Sequence, residues 1–218
     1  MKAIISLSGG MDSATVLAVA IQRGIDVRAV GFRYGSKHGN YENVAAEKLA
    51  VHYGVPFCLV DLTSITRHFS SHLLQHGGEI PEGHYESETM AQTVVPARNM
   101  IFASVLAGVA WTEGAGEVWL GIHAGDHAIY PDCRPAFFGA MKLAVEKGSD
   151  DRVILVAPFL HSKKGDILSR GLELGVPYEL TRTCYKDQSI ACGRCGACRE
   201  RLEAFEENGA RDPVEYGK

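Results

Sequence analysis

The sequence predicts an α/β fold, a five-stranded parallel sheet with helices on both faces, followed by a small metal-binding module at the C-terminal end. Three observations carry this. Short apolar runs rich in β-branched residues alternate with helical stretches, the pattern of parallel strands joined by crossover helices. The first run ends in a glycine turn that opens directly into a helix. Four of the six cysteines fall between positions 184 and 198, while Cys58 and Cys133 stand alone. At 218 residues the chain suits one domain with an appendage, and roughly 70% of the unfolded surface can be buried.

Taken in order, residues 3–7 (Ala-Ile-Ile-Ser-Leu) read as the first strand and 14–20 as the helix after the turn. Residues 26–32 form the second strand, 34–40 its loop, and a helix begins at Asn40 or Tyr41 and stops at Gly54. Residues 55–61 are the third strand. Regularity is lost from 70 to 93, a stretch longer than an ordinary connection and expected to be a functional loop or lid. His68, His72 and His76 recur every fourth residue there, which reads as imidazoles on a solvated helix in preference to a metal face. A long apolar helix over 100–113 closes at Gly114 and Gly116. Strand 117–122, helix 135–146, strand 152–157 and helix 163–174 complete the sheet domain, expected over 1–178, with the cysteine module over 179–218. The chain shows neither an internal repeat nor a low-complexity segment.

The formal net charge of −4 argues against a surface that grips a polyanion, so no direct nucleic-acid partner is expected. No stretch approaches the ~18–20 apolar residues of a membrane span, and a strand begins at once at the N-terminus, so the expectation is a cytoplasmic protein with no membrane partner. Clustered cysteines fit metal ligation in a reducing compartment better than disulfides.

The chemistry centres on Ser8-Gly9-Gly10-Met11-Asp12-Ser13. A helix N-terminus offers free N–H groups and partial positive charge, and two glycines let the backbone approach an anion closely. Ser8, Ser13 and Thr15 add hydroxyls, and Asp12 suits a magnesium ion beside phosphates. No Gly-Lys-Ser/Thr follows, so this is not a Walker A loop. Arg98 falls at a helix start, where the dipole disfavours a cation, and an anionic partner would compensate it. The loop 123–134 packs Asp126, Asp132, two histidines, Tyr130 and Arg134 into one connection, a density suited to a flat heterocycle: Tyr130 or Phe32 to stack, Asp126 or Asp132 to accept ring N–H groups. Cys184, Cys192, Cys195 and Cys198, with two gaps of two residues, match a closed structural zinc site in preference to an iron–sulfur cluster.

The loop at 8–13 resembles that of the PP-loop ATP pyrophosphatases, whose fold is adenine nucleotide alpha hydrolase-like. Together with Tyr34-Gly35 and His38, Val95-Pro96-Ala97-Arg98-Asn99, Gly125-Asp126-His127, Tyr130-Pro131-Asp132-Cys133-Arg134 and Thr183-Cys184-Tyr185 before the cysteine spacing, it is similar to the 7-cyano-7-deazaguanine synthases of the queuosine pathway. Ser36-Lys37 stands where many members have Gln-Arg, and Ala97 where many have Gly. The resemblance implies ATP-dependent conversion of 7-carboxy-7-deazaguanine and ammonia to the nitrile, through an adenylated carboxylate and an amide, in a homodimer. It implies ATP binding by Leu7, Ser8, Gly9, Gly10, Met11, Asp12, Ser13, Ala14, Thr15, Val16 and Leu17, with Mg2+. Catalytic roles fall to Asp12, Arg98 and Lys163, and substrate binding to Phe32, Tyr34, His38, Asp126, Tyr130, Asp132 and Arg134. One Zn2+ per chain is structural. A relative that joins the deazaguanine to a larger amine, a tRNA-modifying PP-loop enzyme and a nucleotide sensor without turnover remain alternatives at this point.

Overall fold

The computed structural model describes residues 1–83 and 88–217, apart from the side chains of Glu88, Asp126 and His127. Strands β1 (Lys2–Ser6), β2 (Asp26–Arg33), β3 (Phe57–Asp61), β4 (Glu117–Trp119) and β5 (Ile154–Val156) form one parallel sheet in the order β3-β2-β1-β4-β5. Central β1 pairs Ile4 with Arg28 on one side and with Val118 on the other. Its Ala3, Ile4 and Ile5 are fully buried. Alternation sends them to opposite layers: Ala3 and Ile5 join one apolar cluster, Ile4 the other. That is why the run shows no polar face.

Helices α1 (Met11–Gln22), α2 (Gly39–Tyr53), α3 (Thr63–Thr66), α4 (Arg98–Glu113), α5 (Pro135–Gly148), α6 (Lys164–Glu173) and α7 (Gly196–Glu207) cover the faces. The first layer holds α1, α2, α6 and the end of α7; the second holds α4 and α5. Gly54 and Gly114 end α2 and α4 in the left-handed conformation, φ 64° and 65°. The one-turn α3 had no sequence signal beyond Asp61, whose Oδ1 accepts the Thr63 N–H at 2.9 Å.

Thr89–Glu113 is long and apolar enough, by composition, to cross a membrane, contrary to the reading of the sequence. It is not one helix, however. A 3-10 turn over Glu88–Thr93 is separated from α4 by a non-helical break over 94–97, and Ala97 at the helix entry has φ 53°. The 16 residues of α4 fall short of the ~20 that a span needs, and its Ala103, Leu106 and Ala110 are buried against the sheet.

Residues 70–80 fold back on the rest of the chain. His72 Nδ1 lies 2.8 Å from Glu79 O and His76 Nε2 2.7 Å from Phe69 O, so these rings tie loop backbone and do not line a helix face. Lys37 bonds the carbonyls of Gly77 and Gly78. At the C-terminal end, Ala204 and Phe205 of α7 enter the cluster around α1, while the four cysteines form a small cluster with Ala191 and Ala197. Buried Arg201 joins Asp212 (Nε–Oδ2 2.7 Å) to Thr181 and to the Tyr178 carbonyl, which fixes the tail.

Candidate active site

The chain fills the sheet outward from β1 in one direction and then, from β4, in the other. A crevice opens between the carboxyl ends of β1 and β4, where ligands of such sheets bind. The cleft there is walled by the β1–α1 turn, α2, the start of α4, Leu120 to Ile122, and Arg182, Thr183, Tyr185, Ala197 and Glu200.

The turn is built to leave backbone donors open. Gly10 occupies the N-cap of α1 with no side-chain cap, so neither Asp12 nor Ser13 serves as one. Ser13 Oγ accepts the Ser8 N–H at 3.3 Å and donates to Gly10 O at 3.0 Å, and Ser8 Oγ lies 3.1 Å from Ser13 Oγ. The first-turn N–H groups of α1 have no acceptor within their own helix. Gly9 has φ 84°, and a Cβ there would sit 2.4 Å from Glu42 O and 2.8 Å from Ala46 N. Only glycine allows the turn to lie directly on α2. Arg182 N–H holds the turn from the other side by donating to Gly9 O at 2.8 Å.

Asp12 projects from this turn into a cluster drawn from four places in the chain. Its Oδ2 accepts from Lys164 Nζ at 2.7 Å and lies 3.6 Å from His123 Nε2. Lys164 also contacts Glu200 Oε2 at 3.1 Å. The Gly125 N–H donates to His123 Nδ1 at 3.1 Å, which leaves the proton of the neutral ring on Nε2, towards Asp12. Burial works against the Asp12 charge, but Lys164 and His123 outweigh it and hold the carboxyl well below its usual range. Asp12 Oδ1 is buried and has no partner among the described residues. An ionised oxygen of this kind, beside open backbone N–H groups, fits a hard divalent cation and a polyphosphate.

Beside the polar cluster the cleft has an aromatic slot. Phe32 and Phe102 stack with ring centroids 4.0 Å apart, Tyr34 meets Phe102 edge-on at 5.6 Å, and the rings of His38 and Tyr185 tilt together at 5.3 Å. Arg98 lies over the Tyr34 ring at 6.0 Å. Burial opposes the Arg98 charge, but the Tyr34 phenol and Cys133 thiol that face it favour it, and its pKa stands well above the ordinary value. Burial, with Glu42 nearby, pushes the Tyr34 phenol up to about 12, so the ring stays neutral.

The four cysteine sulfurs at 184, 192, 195 and 198 all lie within 4.8 Å of one another, and Cys192 Sγ is 3.9 Å from Cys198 Sγ. Backbone N–H groups of Arg194 and Cys195 point at Cys192 Sγ, and that of Cys192 at Cys184 Sγ. Such donors favour thiolate. Hydrogen bonds from Cys195 and Cys198 hold Cys184 far below an ordinary thiol, and a bound cation would favour the thiolate form of all four.

Several expected site residues stand elsewhere. Leu7, Ser8, Gly10, Met11, Asp12 and Ser13 line the cleft, but Gly9, Ala14, Thr15, Val16 and Leu17 do not. Thr15 Oγ1 donates to Met11 O at 2.9 Å and meets Tyr178 Oη at 2.8 Å in the fully buried face of α1, so its hydroxyl is closed to a phosphate. Lys163 is the exposed N-cap of α6, its N–H on Asp166 Oδ2 at 2.8 Å; the lysine that reaches the cleft is Lys164. Phe32, Tyr34, His38 and Arg98 line the cleft, whereas Tyr130, Asp132 and Arg134 do not. Tyr130 Oη meets Thr93 Oγ1 at 2.8 Å in the core. Asp132 Oδ2 accepts the Asn99 N–H at 2.8 Å and so caps α4, and Arg134 is exposed with Nη2 3.4 Å from Ala128 O. The Asp126 side chain lies outside the described residues. Glu200 has no sequence signal, and Asn99 enters the sequence reading only as part of the segment 95–99, with no role of its own; both line the cleft.

A doubly wound sheet with an open glycine turn at its switch point and an ionised carboxylate beside it defines a PP-loop α/β protein. The chain superposes on NMN synthetase from Francisella tularensis with a TM-score of 0.53 at 14% identity, covering 96% of this chain and 77% of that one. It does so on a predicted subunit of tRNA methyltransferase from Methanocaldococcus jannaschii with 0.52 at 14%, covering 97% and 90%. Both are likenesses of fold. The family model described as queuosine biosynthesis protein QueC matches residues 2–209, and the chain belongs to that family. It is similar to 7-cyano-7-deazaguanine synthase of Marinomonas sp. strain MWYL1, at 48% identity over 99% of this chain and 98% of that one. It is also similar to the synthase of Methanoregula boonei, at 47% over 99% of each.

Proposed function

We propose that the protein is an ATP-dependent carbon–nitrogen ligase that converts 7-carboxy-7-deazaguanine and ammonia into 7-cyano-7-deazaguanine. The observation that carries this reading is the union, in one cleft, of the open α1 N-terminus with Asp12 and Lys164 and a wall of aromatic rings with Arg98 beside it. A carboxylate oxygen attacks the α-phosphorus of ATP and pyrophosphate leaves. Ammonia then attacks the acyl carbon and AMP leaves, giving the amide. The amide oxygen then attacks the α-phosphorus of a second ATP, pyrophosphate leaves, and loss of AMP and of both N–H protons leaves the nitrile. Lys164 and Arg98 offset the negative charge gathered as two anions meet, and the α1 N–H groups bind the phosphates. Phe32, Tyr34 and Tyr185 hold the flat base. Magnesium bound with ATP at Asp12 supplies further compensation for phosphate charge.

The four-sulfur site fits zinc: a zinc–sulfur bond of about 2.3 Å places tetrahedral ligands about 3.8 Å apart, close to the Cys192–Cys198 separation. Zinc there supplies folding free energy with no position open for substrate. We read residues 179–218 as the module it organises, and six cysteines held as thiols, none in a disulfide among the described residues, support a cytoplasmic location. Exposed Met100 and Trp111 on α4 and Leu143 on α5 support a homodimer. Incubation with 7-carboxy-7-deazaguanine, ammonium and magnesium ATP, followed by mass spectrometry of the base, tests the reading. Nitrile with AMP is the expected result; AMP without nitrile would move the acceptor to a larger amine.

A further inference from the structure

The ligase reaction needs a proton acceptor twice, and the reading above names none. Ammonium must lose a proton before its nitrogen can attack, and the activated amide must lose its N–H proton as the nitrile forms. Among the described residues that wall the cleft, most charged groups are already engaged. Lys164 and His123 face Asp12, Glu200 faces Lys164, and the Arg182 guanidinium donates to the carbonyls of Lys186, Gln188 and Ser189. Arg98 is a cation with no lone pair to offer.

His38 differs. Its ring forms part of the cleft wall and is 2% exposed. Nε2 lies 3.2 Å from Glu42 Oε2, one helical turn along α2, and Nδ1 is buried with no partner among the described residues. A carboxylate on Nε2 fixes the neutral tautomer that carries its proton there, and so leaves the lone pair on Nδ1. This is the arrangement of a base oriented by an acid. Tyr185 packs against the ring, and the turn carrying Gly9 lies on the backbone of Glu42, so the pair is held against the nucleotide loop.

We propose that His38, positioned by Glu42, is the general base that deprotonates the attacking ammonium and then the activated amide; this rests on the ligase reading. In the first step one ammonium proton passes to Nδ1 and the freed nitrogen forms the carbon–nitrogen bond; the carbon–oxygen bond to AMP then breaks with its electron pair leaving on AMP, and a second N–H proton goes to water, which gives the neutral amide. In the second, the amide oxygen bonds to the α-phosphorus of another ATP as pyrophosphate leaves; one N–H proton then goes to water and the other to Nδ1 as the carbon–oxygen bond to AMP breaks, which leaves the nitrile. Between steps the proton on Nδ1 passes to water that enters the cleft as AMP leaves.

Hydroxylamine is unprotonated at neutral pH and attacks an acyl adenylate without help from a base. The test therefore compares ammonium-dependent amide formation with hydroxylamine-dependent hydroxamate formation in the wild type, His38→Asn and Glu42→Gln. Taken as a ratio within each variant, shared losses in adenylation or folding cancel. The ratio should fall about 100-fold in His38→Asn and about tenfold in Glu42→Gln. A ratio equal to that of the wild type in both variants overturns the assignment of His38 alone. Absence of carboxylate-dependent ATP–pyrophosphate exchange in the wild type overturns the ligase reading, and the His38 assignment with it.

Discussion

Asp12 and Lys164 depend on each other, and single substitutions separate what each does. Lys164 is 10% exposed and spans Asp12 and Glu200, whereas its neighbour Lys163 faces solvent. Lys164→Ala should lower nucleotide turnover by about 10²–10³-fold, and Lys163→Ala by less than about threefold, in the same AMP-release assay. Asp12 has a pKa depressed in the folded state, so the stability it contributes is present above the unfolded value of about 4 and is lost as pH falls through the folded one. Unfolding free energies measured from pH 6 downward should drop less steeply in Asp12→Asn than in the wild type. Equal slopes would mean that the Lys164 contact does not hold the carboxylate in its charged form.

At the scale of elements, the sequence was read well where periodicity and glycine placement decide the structure. All five strands appear, and α2 and α4 stop where Gly54 and Gly114 said they would. It was read poorly where one residue's position in a turn decides. Lys163 and Lys164 differ only in which follows the extended N-cap of α6, and no pattern encodes that. Thr15 reads as a hydroxyl next to the glycine turn, yet four residues into α1 its side chain points to the core and Tyr178. Asp132 sits in a polar loop, but its carboxylate is needed at the start of α4, 33 positions away in sequence. Asp132→Ala should therefore cost about 1 kcal/mol in urea unfolding, the range of a lost helix cap, while the Michaelis constant for the deazaguanine changes little. Among the described residues of the polar loop from 123 to 134, only Cys133 lines the cleft, and Tyr130, Asp132 and Arg134 lie outside it.

For the whole molecule, the four-cysteine site and the cleft are one construction. Arg182, Thr183, Tyr185, Ala197 and Glu200 all belong to the cleft wall and lie between or beside the cysteines. Arg182 also grips Gly9 through its backbone, so loosening the module disturbs the glycine turn. Treatment with a strong chelator should release one metal equivalent per chain and abolish activity in parallel, with recovery of both on adding zinc. Activity that survives complete metal loss would separate the module from the cleft. The same wall has a consequence for the order in which the protein becomes competent. Residues 6–13 leave the ribosome long before residues 182–200, which must come back to close the cleft around them. A nascent chain can have its whole sheet in place, since β5 ends at Val156, and still lack one side of its catalytic chamber.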